Sequence, residues 1–82
     1  MKLGIYTIEK TLFEGEVKEI IATTTAGEIS ILPNHVPLIS RLVKAPLRFI
    51  TDAGEQSVAV ASGFIEVQPE SSVTILVDTA AA

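Results

Sequence analysis

The sequence predicts an all-β protein, an antiparallel β-sandwich or flattened barrel, on three observations. Apolar residues alternate with polar ones at period two, turn residues interrupt that pattern every roughly eight to twelve positions, and no apolar stripe at helical spacing occurs. Short strands joined by tight turns bury their apolar sides by closing face to face. With 82 residues the chain is expected to form one domain, residues 1–82. That is near the small end of what folds without disulfide or metal staples.

The elements follow in order. Leu3, Ile5 and Thr7 alternate with Gly4, Tyr6 and Ile8 as an opening strand, and Glu9-Lys10-Thr11 is a polar turn before Leu12 and Phe13. Glu14-Gly15-Glu16 reads as a second turn or bulge. Val17, Ile20, Ile21 and Ala22 make the next strand, with Lys18 and Glu19 toward water. The adjacent isoleucines break strict alternation, which predicts burial on both faces or a bulge. Thr23-Thr24-Thr25-Ala26 is strand-like until Gly27 permits a tight reversal into Glu28.

Arg41, Leu42, Val43, Lys44, Ala45 and Pro46 lead into Leu47 to Ile50, whose Leu47 and Phe49 point inward. Asp52-Ala53-Gly54-Glu55 is a hairpin signal, because glycine supplies the positive φ of a short reversal. Val58 to Ala61 is small and apolar, suited to the middle of a sheet, and Ser62-Gly63 turns it. Phe64 to Val67 is the next strand, Gln68-Pro69-Glu70-Ser71 a turn, and Ser72 to Asp78 alternates through Val73, Ile75 and Val77. Thr79 to Ala82 is expected to fray. No internal repeat or low-complexity segment is read.

Composition narrows the function. A hydrophobic share of 48% against 20% charged excludes intrinsic disorder. The absence of cysteine excludes disulfides, thiolate zinc sites and cysteine nucleophiles. A net charge of −4 disfavours nonspecific nucleic-acid binding, which needs lysine and arginine against phosphate. Lys2 precedes no long apolar run, and no stretch approaches the ~20 apolar residues of a membrane span, so a soluble protein on the cytosolic side is expected. The glycines form no phosphate-cradling loop.

One stretch stands apart. Ile29, Ile31 and Leu32 lie on one side of Pro33-Asn34-His35-Val36-Pro37, and Leu38 and Ile39 on the other. Each proline fixes φ, removes an amide donor and keeps the preceding residue out of the helical region, so the segment is a stiff elbow between strands. From the residues alone it is either a contact surface or a simple reversal of the chain. His35 is the only histidine; it has only carboxylates to join it at a metal, and no glycine-flanked serine accompanies it and Glu28 as a nucleophile. Arg41, Lys44 and Arg48 are the one basic concentration, either a partner contact or edge protection. Lys44 before Ala45 in a small acidic β domain raises an alternative, a lipoyl-like carrier modified at that lysine, although Pro46 follows closely and the expected glycine and acidic neighbours are missing.

Gly27-Glu28-Ile29, Ile31-Leu32-Pro33 and His35 with Pro37-Leu38 resemble the signature loop of F-type ATP synthase epsilon subunits. The likeness runs from Leu3 to about Thr79. It takes in Leu12-Phe13 with Gly15-Glu16-Val17, Leu47-Arg48, Gly54-Glu55, Gly63-Phe64-Ile65-Glu66-Val67, and Val73 through Asp78-Thr79-Ala80. The resemblance implies a sandwich of about ten short strands. It implies a noncatalytic rotor subunit that joins gamma to the membrane c ring and couples ion translocation to ATP synthesis, peripheral to the cytoplasmic face of the inner (plasma) membrane. By the same resemblance Glu28 and the elbow Leu32, Pro33, Asn34, His35, Val36, Pro37 and Leu38 face the ring, while Thr7 and Ser40 lie near gamma. No cofactor or metal is implied. The nucleotide-binding C-terminal hairpin of some members has no counterpart in these residues, so no nucleotide binding is expected of them. Ala61-Ser62-Gly63 departs from the usual Ser-Gly-Gly, which puts the local turn there in question.

Overall fold

The computed structural model describes residues 1–78, which form nine strands and no helix. In chain order they are β1 (Lys2–Tyr6), β2 (Thr11–Glu16), β3 (Glu19–Thr24), β4 (Gly27–Ile31), β5 (Leu38–Leu42), β6 (Ala45–Thr51), β7 (Gly54–Val60), β8 (Ser62–Gln68) and β9 (Ser72–Asp78). The expected fraying of Thr79 to Ala82 falls outside the described residues. The strands hydrogen-bond in the order β2-β1-β9-β8-β5-β3-β6-β7, with β4 on β3, and the sheet curls over one core. Every pairing is antiparallel except β1 with β9, which run parallel from Lys2 opposite Ser72 to Tyr6 opposite Leu76.

A long bent ribbon makes the corner of the sandwich. Register runs without a slip from Leu38 opposite Val67 to Leu42 opposite Gly63, and again from Ala45 opposite Val60 to Thr51 opposite Gly54. Between these halves the chain bends at Val43-Lys44, and β3 divides its free side between them, pairing Thr24 with Leu42 but Glu19 to Ile21 with Ile50 to Arg48. Strands that bend in this way carry a sheet from one layer into the other.

The core is aliphatic, as a sequence with few aromatics requires. Leu3, Ile5, Ile20, Ile31, Leu47, Ile65, Val73 and Ile75 are fully buried around Phe49. The Phe13 and Phe49 ring centroids stand 4.5 Å apart, so β2 closes over β6. Removing the Phe49 ring from such a site costs about 3–5 kcal/mol.

Several expectations change. Glu14-Gly15-Glu16 is not a turn: these residues pair with Gly4, Leu3 and Lys2, and the register shift falls between Ile5 and Tyr6. Gly15 instead leaves room for the Phe13 ring, which a Cβ there would meet at 3.2 Å. Ile20 and Ile21 make no bulge; Ile20 is buried and Ile21 half-buried in unbroken alternation. The first strand ends at Tyr6, because the Thr7 hydroxyl accepts the Glu9 and Lys10 amides and folds the turn early. Val58 to Val60 belongs to an edge strand rather than a central one, and Ser62-Gly63 opens β8 instead of reversing the chain.

A short repeat also emerges. Thr24-Thr25-Ala26-Gly27-Glu28 and Thr51-Asp52-Ala53-Gly54-Glu55 build the same hairpin. In each, the threonine hydroxyl donates to the glycine carbonyl (3.0 and 3.2 Å) and accepts the alanine amide (3.1 Å in both). Gly27 and Gly54 take φ of 115° and 120°, a conformation that disfavours a Cβ.

Candidate functional site

The elbow closes one end of the sandwich. After β4 the chain cannot continue as a strand through Pro33, and it re-enters the sheet only beyond Pro37. The His35 amide donates to the Leu32 carbonyl at 3.1 Å, and Asn34 sits between them in the left-handed region at φ 68°. Leu32 and Val36 project into solvent, 53% and 70% exposed, whereas Leu38 is half-buried at the start of β5. His35 Nδ1 lies 2.7 Å from the Val36 carbonyl oxygen and so contacts its own loop.

Glu28 is not part of that loop. It lies near the opposite end of β4, about 13 Å from Leu32 by strand rise. Its carboxylate is 3.6 Å from Arg48, which also reaches Glu55 at 3.8 Å. Both glutamates of the repeated hairpins therefore share one guanidinium. These exposed pairs contribute at most about 1 kcal/mol each. The structure does not bring His35 and Glu28 together, and among the described residues no three of His, Asp and Glu gather as metal ligands. Arg41 and Arg48 serve different halves of the sheet. Lys44 lies in the bend between β5 and β6, not at a hairpin tip, where the carrier alternative requires it; the tight two-residue tips of β3–β4 and β6–β7 carry Thr25-Ala26 and Asp52-Ala53.

A second surface lies on the outer side of β1, β9, β8 and β5. Tyr6 pairs with Leu76, Leu76 with Phe64 and Phe64 with Arg41, so four outward side chains stand in one row across the sheet. The Arg41 guanidinium is 5.7 Å from the Phe64 ring centroid, a cation–π distance. Thr7, Ile8, Ser62 and Asp78 extend the row into an open groove of about 400 Å³. Phe64, Leu76 and Ile8 are exposed here, and Ile39 lies further along β5 on the same side. An apolar row of this kind marks a surface that meets a partner. Ser40 points the other way, half-buried opposite Ile65.

Tyr6 is fixed in this row by two features. Its ring lies over Gly4, where a Cβ would stand 2.7 Å from the ring carbon Cζ, and its hydroxyl donates to Glu14 at 2.8 Å. The hydrogen bond to the Glu14 carboxylate, with lesser help from desolvation and charge repulsion, raises the phenol above its ordinary value of 10.0. A raised folded value means that this bond stabilises the fold fully below the unfolded pKa and is lost as pH climbs through the folded one. Tyr6 is the only tyrosine and there is no tryptophan, so its titration is directly visible in the ultraviolet. Glu14→Gln should move that titration to lower pH; an unmoved midpoint would contradict the bond.

Sequence reasoning passed over Tyr6, Phe64, Leu76 and Arg41 as a group. The available signal was Phe64 beside Ile65, and Leu76 between Ile75 and Val77, apolar residues at positions where alternation calls for polar ones.

A family profile described as "ATP synthase, Delta/Epsilon chain, beta-sandwich domain" matches residues 1–82. The ATP synthase epsilon chain of Bordetella parapertussis is 42% identical over 98% of this chain and 57% of its own length. The epsilon chain of Xanthomonas oryzae pv. oryzae is 44% identical over the same shares. The chain thus spans little more than half the length of these curated relatives. In structure, a chain of the Euglena gracilis mitochondrial ATP synthase (OSCP/F1/c-ring) superposes with a TM-score of 0.85 at 22% identity, over 92% of this chain and 48% of that one. A chain of the Tetrahymena thermophila mitochondrial ATP synthase central stalk and c-ring gives 0.76 at 18%, over 93% and 61%. The profile covering all 82 residues, the relatives above 40% identity and the shared fold agree: this chain belongs to the β-sandwich domain family of ATP synthase delta and epsilon chains.

Proposed function

We propose that the chain is a noncatalytic rotor element of an F-type ATP synthase central stalk, joining the gamma subunit to the c ring and so coupling ion translocation to ATP synthesis. The observation that carries this reading is the placement of two unlike contact surfaces on one stiff sandwich. The apolar row of Tyr6, Leu76, Phe64 and Arg41 lies on an outer face, and the proline elbow lies at one end. A face and an end meet different partners, and a closed β core between them passes torque without yielding.

In this reading gamma covers the apolar row, with Thr7 at its margin, Ser40 near the contact on β5, and Ile39 and Arg41 as that strand's outward residues. Leu32 to Leu38 face the polar loops of the ring. Glu28, set apart from the elbow at the other end of β4, meets the ring at a second point by exchanging Arg48 for a basic ring group, a contact that sets orientation more than affinity. The complex holds the chain at the cytoplasmic face of the inner (plasma) membrane as a peripheral component, with no cofactor of its own.

These 82 residues contain no cysteine, so a single cysteine introduced among them reports its own contacts. In the assembled synthase, Val36→Cys should cross-link to a cysteine in a ring loop and Ile39→Cys to gamma. Val36→Cys linking to neither partner, or Ile39→Cys linking to the ring instead, would contradict the assignment.

A further inference from the structure

The three described non-glycine residues with positive φ are Asn34 (68°), Glu70 (67°) and Ser71 (56°). One lies in the elbow and two in the turn between β8 and β9, loops that are far apart in sequence. They are bonded to each other. The Asn34 amide donates to Ser71 Oγ at 2.9 Å, and the Ser71 hydroxyl donates to Asn34 Oδ1 at 3.2 Å. The backbone of the same turn also fixes the first strand, since the Lys2 amide donates to the Ser71 carbonyl at 2.9 Å.

Non-glycine residues in the left-handed region persist only where their surroundings hold them, and such residues gather at sites that must be preorganised. Here the unfavourable backbone and the bonds that hold it occur in the same place. The bond uses an amide that the elbow, cut by two prolines, does not pair internally. Pro33 and Pro37 limit the loop at its ends, and Ser71 limits it at the middle.

We infer that Ser71 is a positioning residue for docking, a latch that holds Asn34, and through it the projecting Leu32 and Val36, in the arrangement that meets the c ring. This rests on the rotor reading above. The latch makes the β8–β9 turn part of the docking machinery although it lies outside the elbow. Preorganisation of this kind strengthens binding by removing the ordering cost of a loop.

Two substitutions separate this role from simple support of the fold. Ser71→Gly removes the hydroxyl but suits the left-handed backbone better than serine does. Ser71→Asn keeps a side-chain acceptor and tolerates the same backbone. The full-length protein is measured three ways: amide hydrogen exchange at Asn34, the unfolding midpoint in denaturant, and affinity for the organism's own gamma subunit on its detergent-solubilised c ring. Ser71→Gly should speed exchange at Asn34 about ten-fold and weaken attachment roughly five- to ten-fold, while the midpoint stays or rises. Ser71→Asn should restore protection and attachment together.

Unchanged attachment of Ser71→Gly, or an Asn34 amide that exchanges as slowly as before, would overturn the latch. Stability and attachment falling in parallel, without rescue by asparagine, would make Ser71 merely structural and overturn it as well. A wild-type protein that does not attach would instead bring down the rotor reading, and the latch with it.

Discussion

Leu76→Asp is expected to weaken binding to the gamma subunit at least 100-fold while leaving the unfolding midpoint nearly unchanged. Leu76 is 54% exposed, and its chain neighbours Ile75 and Val77 carry the core side of β9, so the change leaves the interior intact. Surface substitutions of this type usually shift stability by less than about 0.5 kcal/mol. On the outer side the same change places a carboxylate between Tyr6 and Phe64, at the centre of the apolar row. Burying it there against a partner without a counter-ion costs several kcal/mol, and a central apolar anchor carries about 2 kcal/mol or more of an interface by itself. Titration calorimetry against purified gamma, with a denaturant curve for each protein, separates the two effects. Undiminished binding would show that gamma sits elsewhere on the sandwich.

Gly63→Ala should have the largest effect on folding of any glycine substitution. Gly63 lies inside β8, opposite Val77 on one side and Leu42 on the other. A Cβ there would collide with the Leu76 carbonyl oxygen and come within 3.0 Å of the Val77 Cα. Those atoms belong to the backbone of β9, which is paired on both sides, so no flexible side chain can yield. We expect a loss of about 2–4 kcal/mol. In a domain of this size each kcal/mol is roughly 4–8 °C of Tm, so the melting temperature should fall by about 8 °C or more. At Gly27 and Gly54 a Cβ meets open space and only the positive φ resists it, which costs about 1 kcal/mol. A Gly63→Ala protein as stable as Gly54→Ala would refute the close approach.

The same glycine shows what sequence reasoning could reach. Ser62-Gly63 has the composition of a turn, but nothing local says that the backbone of β9 will pass against it. The alternating segments were legible because burial on one side imposes period two directly: Leu47 and Phe49, and Val73, Ile75 and Val77, all face inward as the pattern requires. The reversals at Gly27 and Gly54 were legible because positive φ selects glycine locally. Parallel pairing of β1 with β9 was not, since it joins the two ends of the described chain and alternation does not encode strand direction. The edge position of β7 escaped for a related reason, because small residues such as Val58 and Ala59 suit either a central or an edge strand. Of the site, the elbow was visible through its prolines. The Asn34–Ser71 bond was not, because side chains far apart in sequence leave no periodic trace. Glu28 was grouped with the elbow by the family resemblance, and no local pattern foretold that a strand of five residues sets it at the far end of β4, beside Arg48.

The most direct test of the rotor assignment is a calorimetric titration of purified gamma with the full-length protein, followed by competition with the epsilon chain of Bordetella parapertussis. The account predicts a one-to-one complex that this epsilon chain displaces. A folded protein that gives no heat of binding with gamma, or a complex that the competitor leaves intact, would contradict it.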